Sequence, residues 1–270
     1  MDMASKKLSN CWHRIYADFV MPSRISIYRQ FLEEVLARGY AICSVANFWE
    51  KIKKNDAQLG EKYLVLRHDV DTDVGTAKAM WQVEHSLGVG SSYYFRLSTI
   101  DIPFMRDIAL SEGEASYHYE ELATVAKQKR LKSREQVLLE IPKIRRLFYE
   151  NLKSLRVKSG LPINIVASHG DFVNRKLKMY NFEILEDGDF RKTAGVDLEV
   201  YDDVFMRNVS SRHSDNLYPS FWKPENPLQA VRGGSPRIYV LVHPRHWRCN
   251  RKINFVDNLY RAVEGIRYSL

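Results

Sequence analysis

Tyr63-Leu64-Val65-Leu66-Arg67-His68-Asp69-Val70-Asp71 decides how the chain is read. Apolar residues run without interruption into Arg-His-Asp-Val-Asp. Such a run marks a strand covered on both faces, as in parallel sheets. Polar side chains set abruptly at its end stand at the sheet's C-terminal edge, where open α/β sheets and α/β barrels build their sites. A helix is expected over Val74–Leu87, capped by Thr72 or Asp73 and stopped by Gly88.

Three later strands are expected to end alike, on Tyr117-His118-Tyr119-Glu120, Ser168-His169-Gly170-Asp171 and His243-Pro244-Arg245-His246. If these strands are parallel and alternate with helices, all four ends share one rim. His68, His118, His169, His243 and His246 then converge there with several carboxylates. One histidine at a strand end says little, but four such ends in register describe a site.

Around this rim, residues 1–60 read as a lead-in unit: a strand at Ile15–Val20, a helix over Ile25–Arg38 with Ile27, Phe31, Val35 and Leu36 inward, a strand at Ala41–Val45, a helix over Phe48–Lys54 and a turn at Gly60. A strand at Ser91–Leu97 and a helix near Pro103–Ser111 follow. The hydrophobic period predicts helix over 121–157, restarted by a Ser133/Gln136 capping box and bent or restarted at Pro142. Its buried stripe is Leu138, Ile141, Ile144, Phe148, Leu152 and Leu155. Further strands are expected at Ile163–Ala167, Leu198–Tyr201, near Val204–Val209 and at Arg237–Val242, with a short helix at Leu228–Val231 and an amphipathic helix over Phe255–Ser269. No linker or repeat divides the 270 residues, which read as one domain.

Hydrophobic residues make up 45% and charged residues 27%, which excludes a disordered chain and allows a sizeable core. The net charge of +8 favours acidic partners such as a phosphorylated small molecule, although its dispersion suits a solubilising surface. The densest basic stretches, Lys127–Arg134 and Arg245–Lys252, lie in no helix-turn-helix or RNA-binding motif, so nucleic acid is not expected. No apolar stretch approaches about 18 residues, so no membrane span is expected. The N-terminal residues carry no apolar signal segment, and Cys11, Cys43 and Cys249 have no metal-type spacing; a cytoplasmic, reduced setting is expected.

Histidine with aspartate, and no cysteine pattern, suits zinc or another divalent first-row metal. The chain has no G-x-G-x-x-G after a strand, no Walker loop, no G-x-S-x-G elbow and no H-E-x-x-H, which disfavours nucleotide cofactors and serine-type hydrolysis. A carboxylate as base and a separate histidine as acid complete the parts of a metal-assisted hydrolase. His13 and His85 read as structural or exposed, and His213 and Asp215 as surface residues.

The pattern resembles the polysaccharide deacetylases of carbohydrate esterase family 4, the chitooligosaccharide-deacetylase homology domain. The similarity rests on Phe31–Tyr40 ahead of the first motif, Arg67–Asp71 in the place of its Thr-Phe-Asp-Asp, Glu114–His118 at the second motif, and Leu241-Val242-His243 at the last. The Arg-His-Asp-Val-Asp, Tyr-His-Tyr-Glu and His-Pro-Arg-His-Trp signatures look closest to a divergent branch associated with bacterial surface-polysaccharide synthesis, lipopolysaccharide included. The resemblance implies a distorted (β/α)7 barrel of the glycoside hydrolase/deacetylase type that removes an N-linked acyl group from a sugar. It implies Asp69 as general base, Asp71 and His118 as metal ligands and His243 as the acid that protonates the departing amine; the reverse assignment of Asp69 and Asp71 stays open. It also implies a divalent ion, zinc first and cobalt or manganese as alternatives. The second motif's second histidine falls at Leu122, so Glu120, Glu121 or His169 must stand in, and His169 is the local choice. Arg67, Glu120, Asp171, Arg245 and His246 are the expected substrate contacts, and an N-acylated sugar or sugar-phosphate-linked molecule the expected substrate. A carbohydrate-binding barrel without activity, motivated by Leu122, and a metal-dependent hydrolase of another bond are the alternatives.

Overall fold

The computed structural model describes residues 3–54 and 61–270, with side chains from residue 11 onward. In chain order the elements are α1 (Met3–Phe19), α2 (Ile25–Ala37), β1 (Ala41–Cys43), α3 (Val45–Lys53), β2 (Tyr63–Val70), α4 (Val74–Ser86), β3 (Ser92–Phe95), α5 (Ile102–Leu110), β4 (Glu114–Tyr119), α6 (Glu121–Lys129) and α7 (Arg134–Ser159). They continue as β5 (Ile165–Ser168), α8 (Phe172–Leu177), α9 (Gly188–Ala194), β6 (Leu198–Glu199), α10 (Asp203–Met206), β7 (Ser211–Asp215), β8 (Trp222–Lys223), α11 (Leu228–Arg232), β9 (Arg237–Val242) and α12 (Arg251–Ser269).

All eight residues of β2 are buried, as its apolar run requires of a strand with covered faces. The sheet runs β6-β5-β4-β3-β2-β9-β7-β8. From β6 to β7 every neighbouring pair is parallel, and only β8 joins antiparallel. β1 pairs with Tyr63–Val65 and β3 with Arg67–Val70, so two strands share successive halves of β2. The sheet is curled. Val65 and Tyr94 share one inner cluster with Leu198 of β6, with Val200 and Phe205 just beyond it and with Tyr239 of β9. Among the described residues β6 and β7 form no ladder; Arg212 of β7 instead donates to the Met206 carbonyl of α10 at 3.1 Å. The result is an open α/β barrel with seven parallel strands from β6 to β7 and β1 beside β2 as an eighth.

Two outer clusters hold the helices. Tyr93, Phe95, Tyr117 and Tyr119 pack under α5, α6 and α7, and Leu64, Leu66, Val240 and Val242 under α2 and α4. Each large side chain buried in these layers contributes roughly 1.5–3 kcal/mol. Asp73 caps α4 by accepting from the Thr76 amide, and Gly88, at φ +65°, follows its end in the left-handed region.

Several expectations are corrected. Ile15–Val20 is no strand; it falls on the end of α1 and the turn after it, because His13, Tyr16 and Ala17 turn inward at helical spacing. Val204–Val209 begins in α10 rather than a strand, while the polar segment Ser211–Asp215 is the strand β7. Helix α7 passes through Pro142 without interruption, and Val137, not Leu138, faces the core. In α2, Tyr28 and Leu32 are inward and Ile27 is exposed. The expected turn at Gly60 lies outside the described residues. No described helix is long and apolar enough to cross a membrane.

Candidate metal centre

Alternation along β2 sorts the opening stretch onto two faces. Leu64, Leu66, His68 and Val70 turn to the helices, and Val65, Arg67 and Asp69 turn inward, with Asp71 just past the strand end. Val70 between the aspartates therefore keeps both carboxylates on the inner side. His68, expected on the rim, is a buried packing group. Its ring stacks on Tyr93 with centroids 4.0 Å apart, Nδ1 meets the Ser92 carbonyl at 3.1 Å, and Nε2 meets Tyr28 Oη at 3.0 Å and Glu84 Oε1 at 2.9 Å.

The ends of β2, β4 and β5 bring Asp71, His118 and His169 together. Asp71 Oδ1 lies 3.5 Å from one imidazole (His118 Nε2) and 3.6 Å from the other (His169 Nε2). These separations are too long for hydrogen bonds. Ligand atoms at about 2.0–2.1 Å from one tetrahedral ion stand roughly 3.3 Å apart, so the spacing suits donors sharing an ion. Asp71 Oδ1 is moreover buried without a hydrogen-bond partner. The Ala167 carbonyl, 3.0 Å away, accepts a hydrogen bond from His118 Nδ1–H and so leaves Nε2 as the free lone pair. His169 Nδ1 lies 3.1 Å from Glu120 Oε2, and Arg96 grips the same carboxylate through two nitrogens. Burial alone would raise Glu120, but His169 and Arg96 outweigh it and bring the carboxyl down to about 2. Burial is likewise outweighed at Asp71, which His169 and His118 hold well below the usual range. The donor set fits a divalent ion.

Two other groupings are less suited. In Asp215, His243 and His246 the carboxylate is already consumed: one oxygen meets His243 Nδ1 at 2.7 Å, and the other accepts from the His243 amide at 2.8 Å and Trp247 Nε1 at 3.0 Å. In Glu120, His169 and Asp171, the last residue caps α8 and holds Lys127 at 2.8 Å.

Across the rim, His243 follows β9 with its side chain 22% exposed. Burial would lower its pKa, but Asp215, with Asp71 and Asp69, raises it to about 9. The Asp215 contact at Nδ1 orients the ring and leaves Nε2 as its free nitrogen. Beside it, burial keeps His246 below its ordinary value despite Asp215. Asp215, expected on the surface, is buried as the anchor of this pair; the polar β7 segment gave no period from which to place it. His213 is also buried, with Nδ1 3.1 Å from the Glu225 carbonyl.

The expected substrate contacts Arg67, Arg245 and Asp171 are each engaged within the protein. Arg67 is fully buried, with Nε and Nη2 donating to the two Asp69 oxygens at 2.6 and 2.8 Å and Nη1 to Tyr239 Oη at 3.0 Å. Its guanidinium lies 5.2 and 5.0 Å from the ring centroids of Tyr94 and Tyr201. Arg245 is held by Asp18 at 2.9 Å and Asp257 at 2.5 Å, and Asp171 by its cap and Lys127. Their charges are spent inside the protein. Asp69 Oδ2 still faces the donor set, 3.4 Å from His118 Nε2. Glu121, a possible stand-in ligand, turns away to Tyr117 Oη and Asn151 Nδ2. Glu120 and Asp71 line a cleft of about 630 Å³, together with Arg96, Thr72, Tyr260 and Val256.

No family model matches the sequence, and no curated protein matches it. Solved structures similar to the chain include the Streptococcus pyogenes deacetylase PplD in complex with acetate, 8% identical, with a TM-score of 0.45 over 82% of this chain and 84% of that one. They also include the Xyl-CE4 domain of a multidomain xylanase from the hindgut metagenome of Trinervitermes trinervoides, 12% identical, with a TM-score of 0.35 over 78% and 85%.

Proposed function

We propose that the chain is a metal-dependent hydrolase that removes an N-linked acyl group from a sugar. The observation that carries this reading is the Asp71–His118–His169 donor set with its unpartnered carboxylate oxygen, which has the Asp69 carboxylate 3.4 Å from His118 and feels the charge of His243 at Asp71. Asp71, His118 and His169 would hold a divalent ion, which would supply Lewis-acid polarisation of the acyl carbonyl.

The protein's own groups supply the proton transfers. Arg67 fixes Asp69 so that Oδ2 can accept a proton from the attacking water. As the C–N bond breaks, His243 gives the proton on Nε2 to the amine, while Asp215 holds Nδ1 and the positive ring. Glu120 and Arg96 border the cleft and position the sugar. His169 beside Asp71 weighs against the inactive-barrel reading, which rested on Leu122 in place of a ligand. A sugar or sugar-phosphate carrying an N-acyl group, in a surface-polysaccharide context, remains the substrate class to test.

The test is acyl release from N-acylated sugars and sugar nucleotides by protein stripped with a chelator and reloaded with zinc, cobalt or manganese. Release restored by one of these ions is the expected result. No release with any of them, and no bound ion, sinks the reading.

A pH profile checks His243 separately. Its raised pKa keeps it protonated at neutral pH, so kcat/KM should fall as pH rises through about 9. Asp215→Asn removes the largest raising influence, and the falling limb should move down by roughly two pH units, toward the ordinary histidine value. The linkage has the same sign: a raised histidine stabilises the fold below its unfolded pKa, and that contribution fades as pH rises through 9. An unmoved limb would assign the proton donor elsewhere.

A further inference from the structure

We propose that α12 seats the protein on an anionic membrane surface. The helix is inside out. Its polar residues face the protein: Asn254 donates to the Asp18 carbonyl at 2.9 Å, Asn258 to Asp18 Oδ2 at 2.9 Å, Asp257 holds Arg245 at 2.5 Å, and Glu264 holds Lys127 at 2.9 Å. Its apolar residues Phe255, Val256, Leu259, Tyr260, Val263 and Ile266 are exposed, Phe255 at 61% and Tyr260 at 64%. A helix on a protein surface ordinarily turns its apolar stripe to the core. An apolar stripe left outward over about three turns marks a contact surface.

Charge selects the partner. Arg251, Lys252 and Arg267 border the stripe and are exposed, as is Arg248 just ahead of the helix. The helix's two side-chain carboxylates, Asp257 and Glu264, are both engaged by cations. Apolar residues bordered by cations describe a helix that lies in the plane of an anionic lipid surface. A second copy of the chain would bring the same cations face to face, so self-association is disfavoured. Val256 and Tyr260 also wall the cleft beside Asp71 and Glu120. A bilayer under α12 would therefore lie next to the mouth of that cleft.

Vesicle flotation tests this with the full chain. Binding to vesicles of phosphatidylglycerol and phosphatidylcholine, falling with salt, and at least about tenfold weaker on phosphatidylcholine alone, is the expected result. Leu259→Glu should abolish it and leave the melting temperature unchanged, since that side chain is exposed and does not line the cleft. Lys252→Glu with Arg267→Glu should weaken it by about fivefold for each charge removed. Absence of binding to either vesicle, or equal binding to both, overturns the proposal. So does a concentration-dependent dimer that Leu259→Glu dissociates while no vesicle is bound. Acyl release from a soluble sugar, measured on Leu259→Glu, reports on the hydrolase reading independently.

Discussion

Replacing His118 with alanine should strip the protein of its divalent ion and lower acyl release on the order of 10³-fold. The Ala167 carbonyl occupies Nδ1, so Nε2 is the one lone pair this ring offers to the centre. Without it Asp71 and His169 remain, fewer than the three protein ligands of a typical catalytic site. Metal content measured by mass spectrometry separates this centre from the nearby alternative. His246→Ala should keep its metal, because the Asp215 carboxylate beside it is saturated by His243 and Trp247. The opposite pattern, with metal lost from His246→Ala and kept by His118→Ala, would move the centre to Asp215.

Much of this arrangement is written in local pattern. The apolar run of β2, the polar ends of β4, β5 and β9, and the caps at Asp73 and Ser133 all follow from period and turn chemistry. Alternation alone places Asp69 and Asp71 on one face and His68 on the other. What escapes the sequence is whatever depends on partners far along the chain. Asp215 belongs to a strand of Ser-Arg-His-Ser-Asp, whose burial rests on His243 and Trp247 rather than on any apolar alternation. Arg67 looks like a substrate contact until Tyr94, Tyr201 and Tyr239 are seen closing around it. The amphipathic period of α12 is plain in the sequence, yet which face turns inward is decided by Asp18, Lys127 and Arg245.

Arg67→Met should destabilise the protein by roughly 3–5 kcal/mol, because it leaves the Asp69 carboxylate buried without its partner. For a chain of this size that corresponds to a fall in Tm on the order of 10 °C. Methionine keeps much of the side chain's length and apolar contact with Tyr94 and Tyr201, so lost packing contributes little beside the lost pairing. The cause can be separated from general damage. Adding Asp69→Leu removes the orphaned charge, and replacing both members of a buried pair by apolar residues is often close to neutral. The double variant should therefore melt above Arg67→Met while remaining inactive, since the proposed base is gone. Equal melting temperatures for the single and double variants would mean that Arg67 acts through its tyrosine contacts. Its grip on Asp69 would then serve the orientation of the base more than the stability of the fold.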